Sequence, residues 1–227
     1  MLAHAFRIAA HFGWTEGVRN HFSVELSNRR MAVQNEDVPW SRMTPRDLVV
    51  VDLDAKEPPK GVSVSAFYTH RDMHRALGAR ARCILHLHPP SVTTLSCLRS
   101  GRLEMVHQNA AYFYGLVGYY DYPAHGTETT SAGCEAVVKA LGESFRVLLQ
   151  ASHGVLVIGE SVYSAFDDLF YFENACGIYC RVLSTGQAVK QLDENVCKRI
   201  VAMRERDREE YGKRHFLTLI SGTLSKL

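Results

Sequence analysis

Strong net charge, long apolar runs and closely paired cysteines are all missing from this chain of 227 residues. With a formal charge of +2 and 22% charged residues, it offers no basic surface of the kind that nucleic-acid partners need, and that class of function is set aside. No stretch of about 18 apolar residues exists to span a bilayer. The opening residues Met1-Leu2-Ala3-His4-Ala5-Phe6-Arg7 place histidine and arginine where a secretory signal needs an unbroken apolar run. These absences predict a cytoplasmic protein without membrane contacts. The six cysteines, at 83, 97, 134, 176, 180 and 197, form no C-x-x-C pair, which argues against a disulfide scaffold or a zinc knuckle and predicts reduced, mostly buried thiols.

What is present is an ordinary globular composition, 46% apolar, and a chain long enough to bury most of its apolar surface. Leu2, Phe6, Ala9 and Phe12 recur at helical spacing and stop at Gly13. Segments 21–26 and 30–33 read as a strand pair, followed by an apolar strand at 48–51. Ser63 or Ser65 can cap a helix reaching Leu77, and the strand 82–88 ends at Pro89-Pro90, which opens a helix to about Leu98. Residues 115–122 are weakly strand-like, 131–141 helical, and strands at 146–150 and 155–158 flank Ser152-His153-Gly154. A long amphipathic helix opens at Ser161, and a charged one spans 194–219. No linker or repeat divides the chain. The reading is a single α/β domain over 1–227 with a central, mainly antiparallel sheet.

His86 and His88 sit two apart in a predicted strand, so both imidazoles face one side of the sheet. Two converging neutral imidazoles chelate a metal ion readily, and the Pro-Pro stop puts them at a strand end, where sites open. The bland alternative is one core and one surface histidine. His153 is the third candidate: alone it is a turn histidine, but Gly154 lets its backbone approach other groups closely, and three histidines with one open position is the pattern of a catalytic metal. His70 and His74, at i and i+4, mimic a zincin helix. Arg71 stands where such a site needs a glutamate base, so this pair is read as surface residues or supports rather than ligands.

Taken in order, four segments resemble the class II aldolase/adducin superfamily over roughly residues 5–185: Gly13-Trp14-x-x-Gly17-x-x-Asn20-His21-x-Ser23, His86-Leu87-His88-Pro89-Pro90, His153-Gly154-Val155-Leu156-Val157-Ile158-Gly159 and Ala165-Phe166-Asp167-Asp168. The resemblance implies a three-layer α/β/α domain, a ring-shaped homotetramer with sites between subunits, and a divalent ion held by His86, His88 and His153. Zinc is the first expectation, with manganese, cobalt or iron as alternatives. In the family's phosphosugar aldolases the metal polarises the substrate carbonyl and stabilises an enolate. Asn20, His21 and Ser23 are then candidates for substrate binding.

The chain departs from that pattern in three places. The glutamate that those aldolases carry four residues before a helix histidine falls on Ala66, if that histidine is His70. Their phosphate-binding loops are rich in small residues, whereas the first loop here reads Gln34-Asn35-Glu36-Asp37-Val38-Pro39. A product-protonating tyrosine is replaced near Val106-His107-Gln108-Asn109. His70, His107 and Gln108 are accordingly the candidate catalytic residues, with His74 and His21 as alternatives. The function expected is a metal-dependent carbon–carbon lyase, aldolase or decarboxylase, acting on a small carbonyl or hydroxy-acid substrate that is not a sugar phosphate. The competing expectation is a non-catalytic, adducin-like interaction domain.

Overall fold

The computed structural model describes residues 1–121 and 131–224. Seven strands form one sheet: β1 (His21–Leu26), β2 (Arg30–Gln34), β3 (Leu48–Asp52), β4 (Cys83–Leu87), β5 (Val117–Tyr120), β6 (Val147–Gln150) and β7 (Gly154–Gly159), in the order β3-β2-β1-β4-β7-β6-β5. Five of the six pairings are antiparallel and only β5 with β6 is parallel, so the mainly antiparallel sheet read from the sequence is what forms. Of the strand-like stretch 115–122, residue 122 lies outside the described residues.

The sheet's two faces follow from the period-two alternation of each strand. Cys83, Leu85 and Leu87 of β4, Val155 and Val157 of β7, and Phe22 of β1 join the larger core, together with α1 (Leu2–His11), α3 (Pro90–Ser96), α4 (Gln108–Ala111) and α6 (Val162–Ser184). The alternate residues Ile84, Leu156 and Ile158 meet Met73 of α2 (Val64–Leu77) and Val137 and Leu141 of α5 (Ser131–Leu141) on the other face. Helices on both faces of one sheet give the three-layer α/β/α arrangement. Parity therefore assigns His86 to the face covered by α2, with Ile84, and assigns His21 and Ser23 to that same face. Ser63 caps α2 by accepting from the Ala66 amide at 3.2 Å, which fixes where the helix starts.

The expected helix 194–219 is interrupted. Asp207, at φ −123° and ψ 18°, separates α7 (Glu194–Arg206) from α8 (Arg208–Leu219). The interruption accompanies a charge cluster: Arg204 and Arg208, on either side of it, both converge on the buried Asp168 carboxylate of α6, at 2.8 and 2.6 Å. Arg146 adds a third guanidinium at 3.3 Å, and Asp167 takes Arg204 and His215, each at 2.7 Å. The charged middle of the C-terminal segment thus closes onto the body through Asp167-Asp168. Among the described residues no helix is long and apolar enough to cross a membrane.

Candidate metal centre

Three elements deliver the histidines. His86 lies on β4, His88 just beyond its end, and His153 in the turn joining β6 to β7. That turn is tight: Ser152 adopts φ 53°, a left-handed conformation costly to a residue with a side chain, and its amide is held by the Ser96 carbonyl at 2.9 Å. Next to it, Gly154 packs so closely that a Cβ there would meet the His88 ring and come within 2.7 Å of the Leu87 carbonyl. The close approach expected of this glycine is what lets β7 bring His153 alongside His88.

One nitrogen from each of His86, His88 and His153 lies within 4.8 Å of the others, and no further cluster of this kind occurs among the described residues. Nδ1 of His86 donates to the Val155 carbonyl at 3.1 Å, leaving Nε2 bare. Nδ1 of His88 meets the Glu16 carboxylate, so Nε2 is the nitrogen it turns toward the other histidines. These two Nε2 atoms are 3.3 Å apart. In a tetrahedral zinc site with bonds of about 2.0–2.1 Å, two ligand nitrogens sit roughly 3.3 Å apart. With the opposite ring nitrogens engaged by Val155 and Glu16, both Nε2 atoms are turned to one point beside His153, and this donor set fits a divalent ion. Burial, reinforced by the neighbouring His21, His153 and His88, holds the His86 pKa well below the usual histidine value, so its lone pair is free near neutral pH.

The remaining site candidates divide into two groups. His21 is the direct cross-strand partner of His86, with ring centroids 4.8 Å apart. Behind it lies a buried hydrogen-bonded series: His21 Nδ1 to His70 Nε2 at 2.6 Å, His70 Nδ1 to Ser23 Oγ, Ser23 Oγ to His74 Nε2 at 2.7 Å, and His74 Nδ1 to the Ala81 carbonyl at 2.6 Å. His70 and His74 are therefore buried members of this series and not surface residues, because the α2 face that carries them is pressed against β1. Asn20 is also buried and accepts from the Glu16 amide at 2.9 Å, which positions the loop whose carboxylate reaches His88. Glu16 is the functional residue that sequence reasoning missed; its only signal is its place inside the Gly13–Gly17 motif. Ala66, one turn before His70, is buried in the apolar cluster of Val33 and Phe67.

His107 and Gln108 fall elsewhere. Both begin α4, which packs on α6 and α7 in the layer across the sheet from α2. Gln108 donates to the Tyr112 hydroxyl at 3.0 Å and borders a cleft of about 560 Å³ with Tyr171 and Arg204. The loop expected to differ from a phosphate cradle lines another cavity, of about 490 Å³, with Asn20, Gln34, Glu36 and Asp37 on its wall and, among the described residues, no lysine or arginine.

Over 194 residues the chain is 30% identical to alpha-adducin of Rattus norvegicus, and over 198 residues 26% identical to beta-adducin of Homo sapiens, covering 81% and 84% of itself. It spans only about a quarter of those relatives' length, 25% and 27%. An aldolase II superfamily protein from Pseudomonas syringae superposes with a TM-score of 0.89 at 25% identity, over 99% of this chain and 91% of that one. An L-fuculose 1-phosphate aldolase from Glaciozyma antarctica shares the fold, with a TM-score of 0.83 at 21% identity over 97% and 87% of the two chains. Residues 1–180 match the model of the class II aldolase and adducin N-terminal domain, and the chain belongs to that family.

Proposed function

We propose that this protein is a metal-dependent carbon–carbon lyase, with His86, His88 and His153 as the ligands of one zinc ion or, failing zinc, of manganese, cobalt or iron. The observation that carries the reading is the pair of Nε2 atoms on His86 and His88 at tetrahedral spacing, with His153 beside them. When bound, the ion supplies Lewis-acid polarisation of a carbonyl next to the bond that breaks. Val155 and Glu16 fix the two ligand tautomers. Glu36 and Asp37 on that cavity wall disfavour a doubly charged phosphate more than a neutral or singly charged group, which supports a small carbonyl or hydroxy-acid substrate over a sugar phosphate. His70 acts behind the site, and His107 and Gln108 contribute from a neighbouring subunit of a homotetramer.

The second reading is an interaction domain without chemistry, favoured by the adducin identities and by Ala66. Metal content separates the two. Purified protein should hold close to one divalent ion per chain, lose it in His86→Ala and His153→Ala, and release carbon dioxide or an aldehyde from a member of a 2-oxo and hydroxy-acid panel. A protein without stoichiometric metal, whose stability ignores chelators, would sink the lyase reading.

A further inference from the structure

Hydrogen atoms along the buried series can be assigned one by one. The Ala81 carbonyl can only accept, so His74 Nδ1 carries a hydrogen. Burial lowers the His74 pKa to about 4, so the ring is neutral at pH 7 and its Nε2 is bare. Ser23, at 2.7 Å, must give that nitrogen its single hydrogen. Having none left, Ser23 can only accept from His70 Nδ1. Burial keeps His70 neutral too, so its Nε2 is bare and takes the hydrogen of His21 Nδ1 at 2.6 Å. With the hydrogen of its Nδ1 given to His70, the nitrogen left over on His21 is Nε2.

The two ring nitrogens of an imidazole point in divergent directions. With Nδ1 aimed at His70, the bare Nε2 of His21 turns away from α2, on the sheet face and strand position shared with His86. We infer that the series Ala81–His74–Ser23–His70 locks His21 as a hydrogen-bond acceptor at the metal centre, so that the substrate must present a hydrogen-bond donor there, a hydroxyl beside its carbonyl. His70, Ser23 and His74 are positioning residues in this arrangement, and His21 is the group that touches substrate. The substrate half of the inference rests on the lyase reading; the tautomer half does not. A buried acceptor left without its donor costs about 1–3 kcal/mol, which corresponds to roughly 5- to 150-fold against a substrate lacking the hydroxyl.

The test uses zinc-loaded protein labelled with nitrogen-15 at histidine, read by long-range proton–nitrogen correlation. His21, His70 and His74 should all be the Nδ1–H form, the reverse of the preference of free histidine. Ser23→Ala should release the lock, giving a mixed or Nε2–H state at His21, and Ser23→Thr, which restores the hydroxyl, should return it. The unsubstituted protein carries the assignment even if either variant fails to fold. Titration with hydroxyacetone should move the His21 resonances, and methoxyacetone, which lacks the donor, should not. Zinc bound with His21 as the Nε2–H form, or with His21 Nε2 itself on the zinc, overturns the inference, and so does an equal response to the two ketones. A protein that binds no zinc but shows the three Nδ1–H forms overturns the metal reading and leaves the lock in place.

Discussion

The Glu16 carboxylate and Nδ1 of His88 are hydrogen-bonded partners, which ties the loop after α1 to the end of β4 across 72 residues of sequence. The contact orients the His88 ring and raises the basicity of the nitrogen that faces the other histidines. Glu16 is 61% exposed at its side chain, so it contributes little to folding. Replacing it with glutamine or alanine should weaken zinc affinity about 10- to 100-fold and change metal-free stability by no more than about 0.5 kcal/mol. Competition against a chromophoric chelator measures the first and urea unfolding the second. Unchanged affinity would remove Glu16 from the site.

Gly154 tests the site without touching a ligand. An added methyl would collide with the His88 ring and with the Leu87 carbonyl, which belongs to the β4–β7 pairing and cannot move cheaply. Gly154→Ala should therefore lower bound metal to the level of a ligand deletion and cost about 1–3 kcal/mol of stability through overpacking. Metal analysis of the folded variant decides it: full occupancy would mean that His88 swings aside without loss.

Sequence alone carried the strand pattern and the His86–His88 pair because both are local, whereas His153, 65 residues beyond His88, was joined to them by the family resemblance. The H-x-H spacing fixes a shared face, and Pro89-Pro90 fixes the strand end. The support of that triad was illegible for the opposite reason. Nothing within α2 says that its His70–His74 face packs on Ser23, and nothing in the Gly13–Gly17 loop has a period that would aim Glu16 at His88. The same holds for Asp207: residues 194–219 are helical by pattern, and the break depends on where Asp168 waits on α6. His107 and Gln108 mark the limit of reading proximity from order in the chain, since α4 packs in the layer across the sheet from α2.

Acid should destabilise the metal-free protein in a defined window. Burial pulls the pKa of His74 down to about 4, and shifts those of His21, His70 and His86 the same way. The unfolded chain, with histidines near 6.5, therefore binds more protons, and stability present above pH 6.5 is lost as pH falls toward each folded value. His74 alone contributes about 3 kcal/mol of loss across pH 6.5 to 4. Urea midpoints at pH 7.5, 6 and 5 should fall steadily, and a profile flat over that range would contradict the burial of charged-form-averse imidazoles. Zinc should oppose the loss, since it binds only the neutral rings.

Asp168 should be the most costly single carboxylate to remove. Burial alone would raise its pKa, yet the guanidiniums of Arg208, Arg146 and Arg204 outweigh that and hold it below the usual carboxylate range. Its side chain is fully buried, whereas the Arg29–Asp54 pair is exposed at both partners, 61% and 58%. Deleting one partner of a buried cluster strands the opposite charges in low dielectric, so Asp168→Ala should cost about 3–5 kcal/mol. Asp54→Ala should cost less than about 1 kcal/mol. The loss should concentrate where the cluster does its holding, with amides of α7 and α8 exchanging hydrogen faster than those of β4 and β7. Equal costs for the two substitutions, or protection of α7 and α8 unchanged in Asp168→Ala, would show that apolar contacts such as Phe216 on Phe166 hold the C-terminal helices without the ion pairs.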